Sequence, residues 1–340
     1  MTGRRRVGIA DIAALAGVSK PTVSRALSGH PDVNPETQRR VRQAADQLGY
    51  TPSLNARSLR TGRFSSLGMA LPMDMGSWAF DFQFGVAHEV GVRGHSLVLQ
   101  PLAQTQKIER EFVTRTLAGM PIDGLIIFMT EGLLPYADEI QNMGLPVVVF
   151  DDRGAIRGLP TVATTNEIGA YDAISHLLDT GRRRIAAICG PLSAAYARER
   201  LAGYGRALRD RGIESDPALI LTHETEDPSV RDSIAQLLDR NITFDAIFAC
   251  HDELAIQTLA MLRKAGLRVP EEVAVVGFDD IHSARATYPS LTTVRQPFYE
   301  MGAMAARTLF AALDGGPAAQ DVVLPTELVI RESSAPSVAP

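Results

Sequence analysis

The chain has 340 residues, 45% of them hydrophobic and 21% charged, with a formal net charge of −5. This composition excludes disordered, collagen-like and disulfide-rich classes, and the length calls for more than one domain. The net charge conceals a split: residues 1–63 carry 11 Lys/Arg against 4 Asp/Glu, a balance of +7, which leaves 23 against 35, or −12, in residues 64–340. A basic head on an acidic body is the electrostatic footprint of a nucleic-acid reader joined to something else.

The basic start MTGRRRVGIA is followed by Asp11, which interrupts the apolar stretch a secretory leader needs, so a cytoplasmic protein is expected. No apolar run approaches the roughly eighteen residues of a membrane span. Cys and His spacings fit no zinc site, so neither metal nor cofactor is expected. Cys189 and Cys250 each end an apolar run and read as buried free thiols.

Ile9, Ile12, Ala13 and Ala16 recur at helical spacing. Gly17 suits the left-handed end of that helix, and Ser19 with Pro21 suits the start of another. Val23, Ala26 and Leu27 make the second helix's apolar stripe, leaving Lys20, Pro21, Thr22, Ser24 and Arg25 on the opposite side. Hydroxyls and Lys reach phosphates, and an Arg reads a guanine edge bidentately. Asn34 and Pro35 open a third helix with the stripe Val41, Ala44, Ala45 and Leu48, and Gly49 ends it. Three short helices of this kind form a helix-turn-helix domain.

The segments VSKPTVSRAL, NPETQRRV, LGYTP and NARSLRTGR resemble the N-terminus of LacI/GalR transcription regulators, without a gap through the first sixty-odd residues. The resemblance continues to about Ser333. It implies a DNA-contacting set that adds Ser19, Ser28, Asn34, Thr37, Tyr50, Ser53, Ala56, Leu59 and Arg60 to the residues above. Ser53 to Arg60 is similar to the family's hinge helix, too short to be stable alone and expected to order on DNA. Within it Leu59 resembles the leucine that wedges into the minor groove.

Beyond the link TGRFS the rhythm becomes short apolar strands alternating with helical patterns. Strands are expected at 66–72, 96–100, 123–129 and 146–150, with helices at 80–92 and 107–117. From Asn166 the rhythm repeats: helix to Leu178, strand IAAIC, helix 195–211, strand ALILT, helix 228–238, strand AIFAC, helix 253–265 and strand VAVVGF. Continuously apolar strands separated by helices indicate parallel sheets buried on both faces.

The expected fold class is therefore an all-α helix-turn-helix head plus an α/β body. The resemblance makes that body two similar Rossmann-like lobes of the periplasmic-binding-protein type. The domains expected are 1–50, a hinge and linker at 51–63, and a body at 64–333 followed by a frayed tail at 334–340. Within the body the first lobe takes about 64–165 and 294–333, and the second about 166–293.

Open α/β sheets bind ligands beyond the carboxyl ends of their strands. Asp151 and Asp152, His251 and Asp252, and Asp279 and Asp280 stand at such ends. Arg200, just before LAGY, and Asp279, in GFD, match the family's effector contacts. The expected effector set is Trp78, Asp151, Asp152, Arg200, His251 and Asp279. Carboxylates and a guanidinium suit adjacent sugar hydroxyls, which both donate and accept. Trp78, in the loop region after the first strand, reads as a stacking platform or an ordinary core residue. Asp252 and Asp280 could instead cap helices, His251 could be structural, and Arg182-Arg183-Arg184 reads as a solvated turn.

The family pattern is broken at His251, where many members have asparagine, at Thr165, and in Met73 to Ser77. No G-x-G-x-x-G after a strand, no phosphate-binding loop and no nucleophile elbow occurs, so an enzyme is not expected. The reading is a repressor that binds palindromic operator DNA as a homodimer and answers to a small sugar. The alternatives are an α/β enzyme or solute binder with a DNA-binding head, or the same regulator with a purine or nucleoside effector.

Overall fold

The computed structural model describes residues 7–50, 62–72, 76–102, 110–128, 133–150, 158–222, 234–235, 237, 242–316 and 320–335. The chain divides into two compact units, Met1–Phe64 and Ser65–Pro340.

In the first unit α1 (Ile9–Ala16), α2 (Lys20–Leu27) and α3 (Pro35–Gln47) close on one core. Ile12, Ala13, Ala16, Val23, Ala26, Val41, Ala44 and Ala45 fill it. Gly17 sits at φ +64°, a left-handed turn that any Cβ would oppose. Ser19 Oγ accepts from the Thr22 amide at 3.3 Å, and Asn34 Oδ1 accepts from the Glu36 amide at 2.8 Å. These caps satisfy helix-end donors and fix where α2 and α3 begin.

Among the described residues, the second unit holds two six-stranded sheets. The first runs in the order β11 (Val322–Leu324), β5 (Thr161–Thr164), β4 (Val147–Phe150), β3 (Gly124–Phe128), β1 (Ser66–Pro72) and β2 (Ser96–Leu102). The second runs β12 (Glu327–Val329), β10 (Thr292–Arg295), β9 (Ala274–Asp279), β8 (Ala246–Ala249), β6 (Ile185–Cys189) and β7 (Ile220–Thr222). Every described pairing is parallel except β10 with β12. Helices α4 (Trp78–Val92), α6 (Asn166–Asp179), α7 (Ala195–Asp210), α8 (Asp252–Lys264) and α9 (Phe298–Leu313) cover the sheets, and α5 (Ala137–Gln141) is a single short turn. The central strands are buried along nearly their whole length, which is why they read as unbroken apolar runs.

Several expectations are corrected. β5, TVAT, escaped the sequence reading because four residues flanked by threonines carry no clear period. The chain from 294 to 333 does not return wholly to the first lobe: β11 joins the first sheet, whereas β10 and β12 belong to the second. Strand pairing decides this, since Val294 pairs with Phe278 and with Leu328. Ser334, expected to begin the tail, is packed into the body, and residues 336–340 lie outside the described residues. The Ser333 hydroxyl donates to the Val275 carbonyl, and the Ser334 hydroxyl donates to Thr292 Oγ1 at 2.7 Å, both within the core.

Cys189 and Cys250 are joined as a disulfide, with Cα atoms 4.9 Å apart, and are not free thiols. β6 and β8 are neighbours with Ile188 opposite Ala249, which brings the next residue of each side by side. The three arginines are more than a solvated turn: Arg183 and Arg184 are exposed as expected, yet all three bond to carbonyls. Arg182 donates to the carbonyls of Asp245, Glu272 and Pro270, Arg183 to Leu178, and Arg184 to Thr243, so they tie loops of the second lobe together. Expected helix 228–238 is described only at Ile234, Ala235 and Leu237.

Paired helices meet at backbone distance through glycines. A Cβ on Gly85 of α4 would lie 1.9 Å from the Tyr299 carbonyl oxygen of α9, and one on Gly302 of α9 would lie 2.0 Å from that of Phe82. The second lobe repeats the device, where a Cβ on Gly203 of α7 would lie 2.2 Å from the Glu167 carbonyl oxygen. Gly302→Ala must therefore push α9 off α4. A loss of about 1–3 kcal/mol is expected, typical of overpacking. Urea unfolding of the full chain measures it, and an unchanged midpoint would contradict the packing described.

Candidate functional site

Two surfaces carry chemistry, one in each unit. On the head, Lys20, Pro21, Ser24 and Arg25 stand exposed along α2. Thr22 is half-buried, and its hydroxyl lies 2.8 Å from that of Ser19. The Ser28 hydroxyl donates to the Arg25 carbonyl at 2.9 Å, so it is engaged at the end of its own helix. Asn34 is occupied as the cap of α3. Thr37 is half-buried, and Tyr50 packs against the helical core. Gln38 Nε2 donates to the Ala26 carbonyl at 3.3 Å and fixes α2 against α3. Ser53, Ala56, Leu59 and Arg60 lie outside the described residues. The result is a helix whose outer side offers one guanidinium, one ammonium and a row of short side chains.

In the body, the carboxyl ends of the second sheet bring Arg200 and Asp279 together. Arg200, on the buried side of α7, has its Nη1 3.4 Å from Asp279 Oδ1. Its Nε donates to Asn166 Oδ1 at 2.9 Å, and its Nη1 also donates to the Cys250 carbonyl. The guanidinium lies 3.7 Å from the Phe278 ring centroid, a cation–π contact within a dry setting. Asp279 is 4% exposed and accepts from Gln296 Nε2 at 2.7 Å. Burial raises its carboxyl from the ordinary 3.8 to about 7, against the opposing pull of Arg200.

Asp279 and Asp280 have φ of +121° and +54°, conformations that side chains resist. Asp280 is locked by Arg295 at 2.8 Å, Arg285 at 3.4 Å and Arg331. Burial opposes its charge, but the Arg331 and Arg295 hydrogen bonds hold its carboxyl below the usual range. Neither Asp280 nor Asp252 is a helix cap. Asp252 accepts from the Ile281 amide at 2.9 Å and the Thr293 hydroxyl at 2.6 Å, binding α8 to β10 and the turn after β9. Its carboxyl is held well above the usual range by burial and by the charge of Asp279.

His251 is the cap of α8, its Nδ1 accepting from the Leu254 amide at 3.3 Å and lying 3.3 Å from Glu253 Oε2. Burial works against the Glu253 charge, but His251 and backbone amides together hold the carboxyl below its usual range. Trp78 begins α4 rather than sitting in the preceding loop. Its ring stacks on Phe298 at 4.9 Å and Phe150 at 5.5 Å, and it touches the apolar clusters of both lobes. A cavity of about 340 Å³ opens beside it, lined by Trp78, Asp279, Gln296, Phe298, Arg285 and Arg295 among others. Arg200 reaches this cavity through Asp279, whereas His251 is not on its wall. Asp151 and Asp152 lie outside the described residues. Gln296 and Asn166 were missed as partners, since their roles come from residues 17 and 34 positions away.

A helix-turn-helix head and a two-sheet body with a polar crevice together define a ligand-responsive DNA-binding regulator. Residues 8–53 match the model for bacterial regulatory proteins of the lacI family, and residues 174–334 match a periplasmic binding protein-like domain. The HTH-type transcriptional regulator CelR of Thermobifida fusca is 36% identical over 344 residues, covering 98% of this chain and 100% of that protein. The solved CelR–cellobiose complex aligns with a TM-score of 0.74 at 32% identity, over 96% of this chain and 100% of that one. The lac repressor dimer bound to operator and the anti-inducer ONPF aligns with a TM-score of 0.85 at 25% identity, over 97% and 99%. The chain belongs to the lacI family of transcriptional regulators, and the family and fold class expected from the sequence both hold.

The Asp279 titration makes a stability prediction. The folded chain keeps the Asp279 proton to about pH 7, while an unfolded chain releases it near 3.8. Between those values the unfolded state binds fewer protons, so this residue's stabilising contribution falls as pH rises through the window. Asp279→Asn removes the titration. The urea midpoint of the wild type should therefore drop more between pH 5 and pH 8 than that of the variant. Equal slopes would show that Asp279 titrates as an ordinary carboxylate.

Proposed function

We propose that this chain is a cytoplasmic repressor whose homodimer grips a palindromic operator through α2 and whose grip is controlled by a neutral sugar in the interlobe crevice. The observation that carries the reading is the buried Arg200–Asp279 pair beside an aromatic wall of Trp78 and Phe298. A sugar ring offers hydroxyls at its edge and C–H groups on its faces, so fixed polar groups and a stacked indole meet both. The similarity to CelR, solved with cellobiose, supports the same class of ligand. The chain acts by binding alone, without a catalytic step.

On the DNA side, Arg25 is the base reader, and Lys20, Thr22 and Ser24 supply backbone contacts. Ser19, Pro21, Ser28, Asn34, Thr37 and Tyr50 position that helix, and Ser53, Ala56, Leu59 and Arg60 complete the contact in the minor groove. Effector and operator affinities are then coupled reciprocally.

Two measurements test this. An operator is first selected from a random DNA pool by the wild-type chain. Arg25→Ala should lose about 1–3 kcal/mol on that site and blur one base preference, while affinity for scrambled DNA stays nearly constant. Equal losses on both would reduce Arg25 to a phosphate contact. Calorimetry then compares cellobiose, lactose, maltose, glucose and nucleosides. At least one sugar should bind, and Arg200→Ala should weaken it about tenfold or more, because a buried partner is left unpaired. A nucleoside that outbinds every sugar would overturn the ligand class. Unchanged sugar affinity in Arg200→Ala would overturn the pocket.

A further inference from the structure

Three segments cross between the two sheets. Thr164 and Thr165 lead from β5 to α6, Gln296 and Pro297 lead from β10 to α9, and Pro325 and Thr326 lead from β11 to β12. Side chains tie these crossings together. The Thr326 amide donates to Thr165 Oγ1 at 2.9 Å, and the two threonine hydroxyls also lie 2.9 Å apart. The Thr164 hydroxyl donates to Gln296 Oε1 at 2.6 Å. Of the two links, the second continues into the crevice, because Gln296 Nε2 donates to Asp279 Oδ1 at 2.7 Å. Thr164, Gln296 and Asp279 are 0%, 6% and 4% exposed.

A carboxamide has one accepting end and one donating end. In Gln296 the accepting end holds the first lobe and the donating end holds the second. A ligand hydroxyl that donates to Asp279 draws on the carboxylate charge on which Gln296 rests, and the amide cannot turn without re-aiming its bond to Thr164. Both bonds share one amide, so a change at Asp279 is felt at Thr164. We propose that Gln296 is a positioning residue, the relay by which occupancy at Asp279 is read by the crossings between the lobes. This rests on the reading of Asp279 as an effector contact. It adds a specific path, since Thr165 and Thr326 bridge two crossings without touching that path.

The test uses the full chain, the selected operator and the sugar from the panel above that binds most tightly. The readout is the ratio of operator Kd with and without saturating sugar. Thr164→Val keeps the shape of the side chain and deletes the hydroxyl. It should bring the ratio at least fivefold closer to one, and Thr164→Ser should restore it. Thr165→Val, which weakens the neighbouring crossing, should leave the ratio within twofold of wild type. If Thr164→Val folds poorly, Gln296→Met deletes the relay from its centre and should give the same loss. Wild-type ratios in Thr164→Val or in Gln296→Met overturn the relay, as do equal losses in Thr164→Val and Thr165→Val, which would mean general loosening of the crossings. A wild-type chain that binds none of the sugars overturns the crevice reading and the relay with it. A wild type that responds normally while Thr164→Val responds equally removes the relay alone.

Discussion

A carboxylate taken out of water must be met by donors at close range, and the crevice is built around meeting one. Asp279 has Gln296 at 2.7 Å and Arg200 at 3.4 Å, and little solvent. Burial of this kind destabilises the charge unless the partners are themselves held. Arg200 is held by Asn166, by the Cys250 carbonyl and by the Phe278 ring, so α6, β8 and β9 all contribute to one guanidinium. The pair is a convergence point of the second lobe.

The backbone beneath that pair is strained. Two consecutive non-glycine residues at positive φ cost on the order of 1–3 kcal/mol each and persist only where the surroundings over-determine them. Asp280 supplies the over-determination. Its carboxylate gathers arginines from three places: Arg285 after β9, Arg295 at the end of β10, and Arg331 just past β12. Charged hydrogen bonds contribute about 1.5–3 kcal/mol apiece when well formed, enough to hold the turn that aims Asp279 inward. The two adjacent aspartates both border the crevice but have different partners: Asp280 gathers the arginines that pin the turn, and Asp279 holds Gln296 and Arg200.

The head was legible because its determinants are local. Gly17, Ser19, Pro21, Asn34 and Pro35 act within one turn of themselves, and the helix stripes recur at a fixed period. Much of the body's rhythm of strands and helices was legible for the same reason, with β5 missed and the expected helix 228–238 lying largely outside the described residues. What the sequence hid depends on pairing across distance. The disulfide follows from β6 and β8 being neighbours although β7 lies between them in the chain. The division of β11 and β12 between sheets is a matter of partners, with no trace in either three-residue strand. Arg182, Arg183 and Arg184 look like any basic turn until their carbonyl partners are known.

The site residues divide along the same line. Arg200 and Asp279 were recognisable from the segments that carry them, whereas Gln296 reads as a polar residue before a proline. Its significance comes from Thr164, 132 positions earlier, and from Asp279, 17 positions earlier. The lobes are separate cores, yet the chain passes between them three times, and each passage exposes backbone and side-chain polar groups that must be satisfied. Thr165 and Thr326 satisfy one another. Gln296 satisfies Thr164 on one side and, on the other, the carboxylate of Asp279. A crossing could have been closed with apolar residues. Closing it with an amide that also touches Asp279 joins the lobe junction and the crevice by one hydrogen-bond chain.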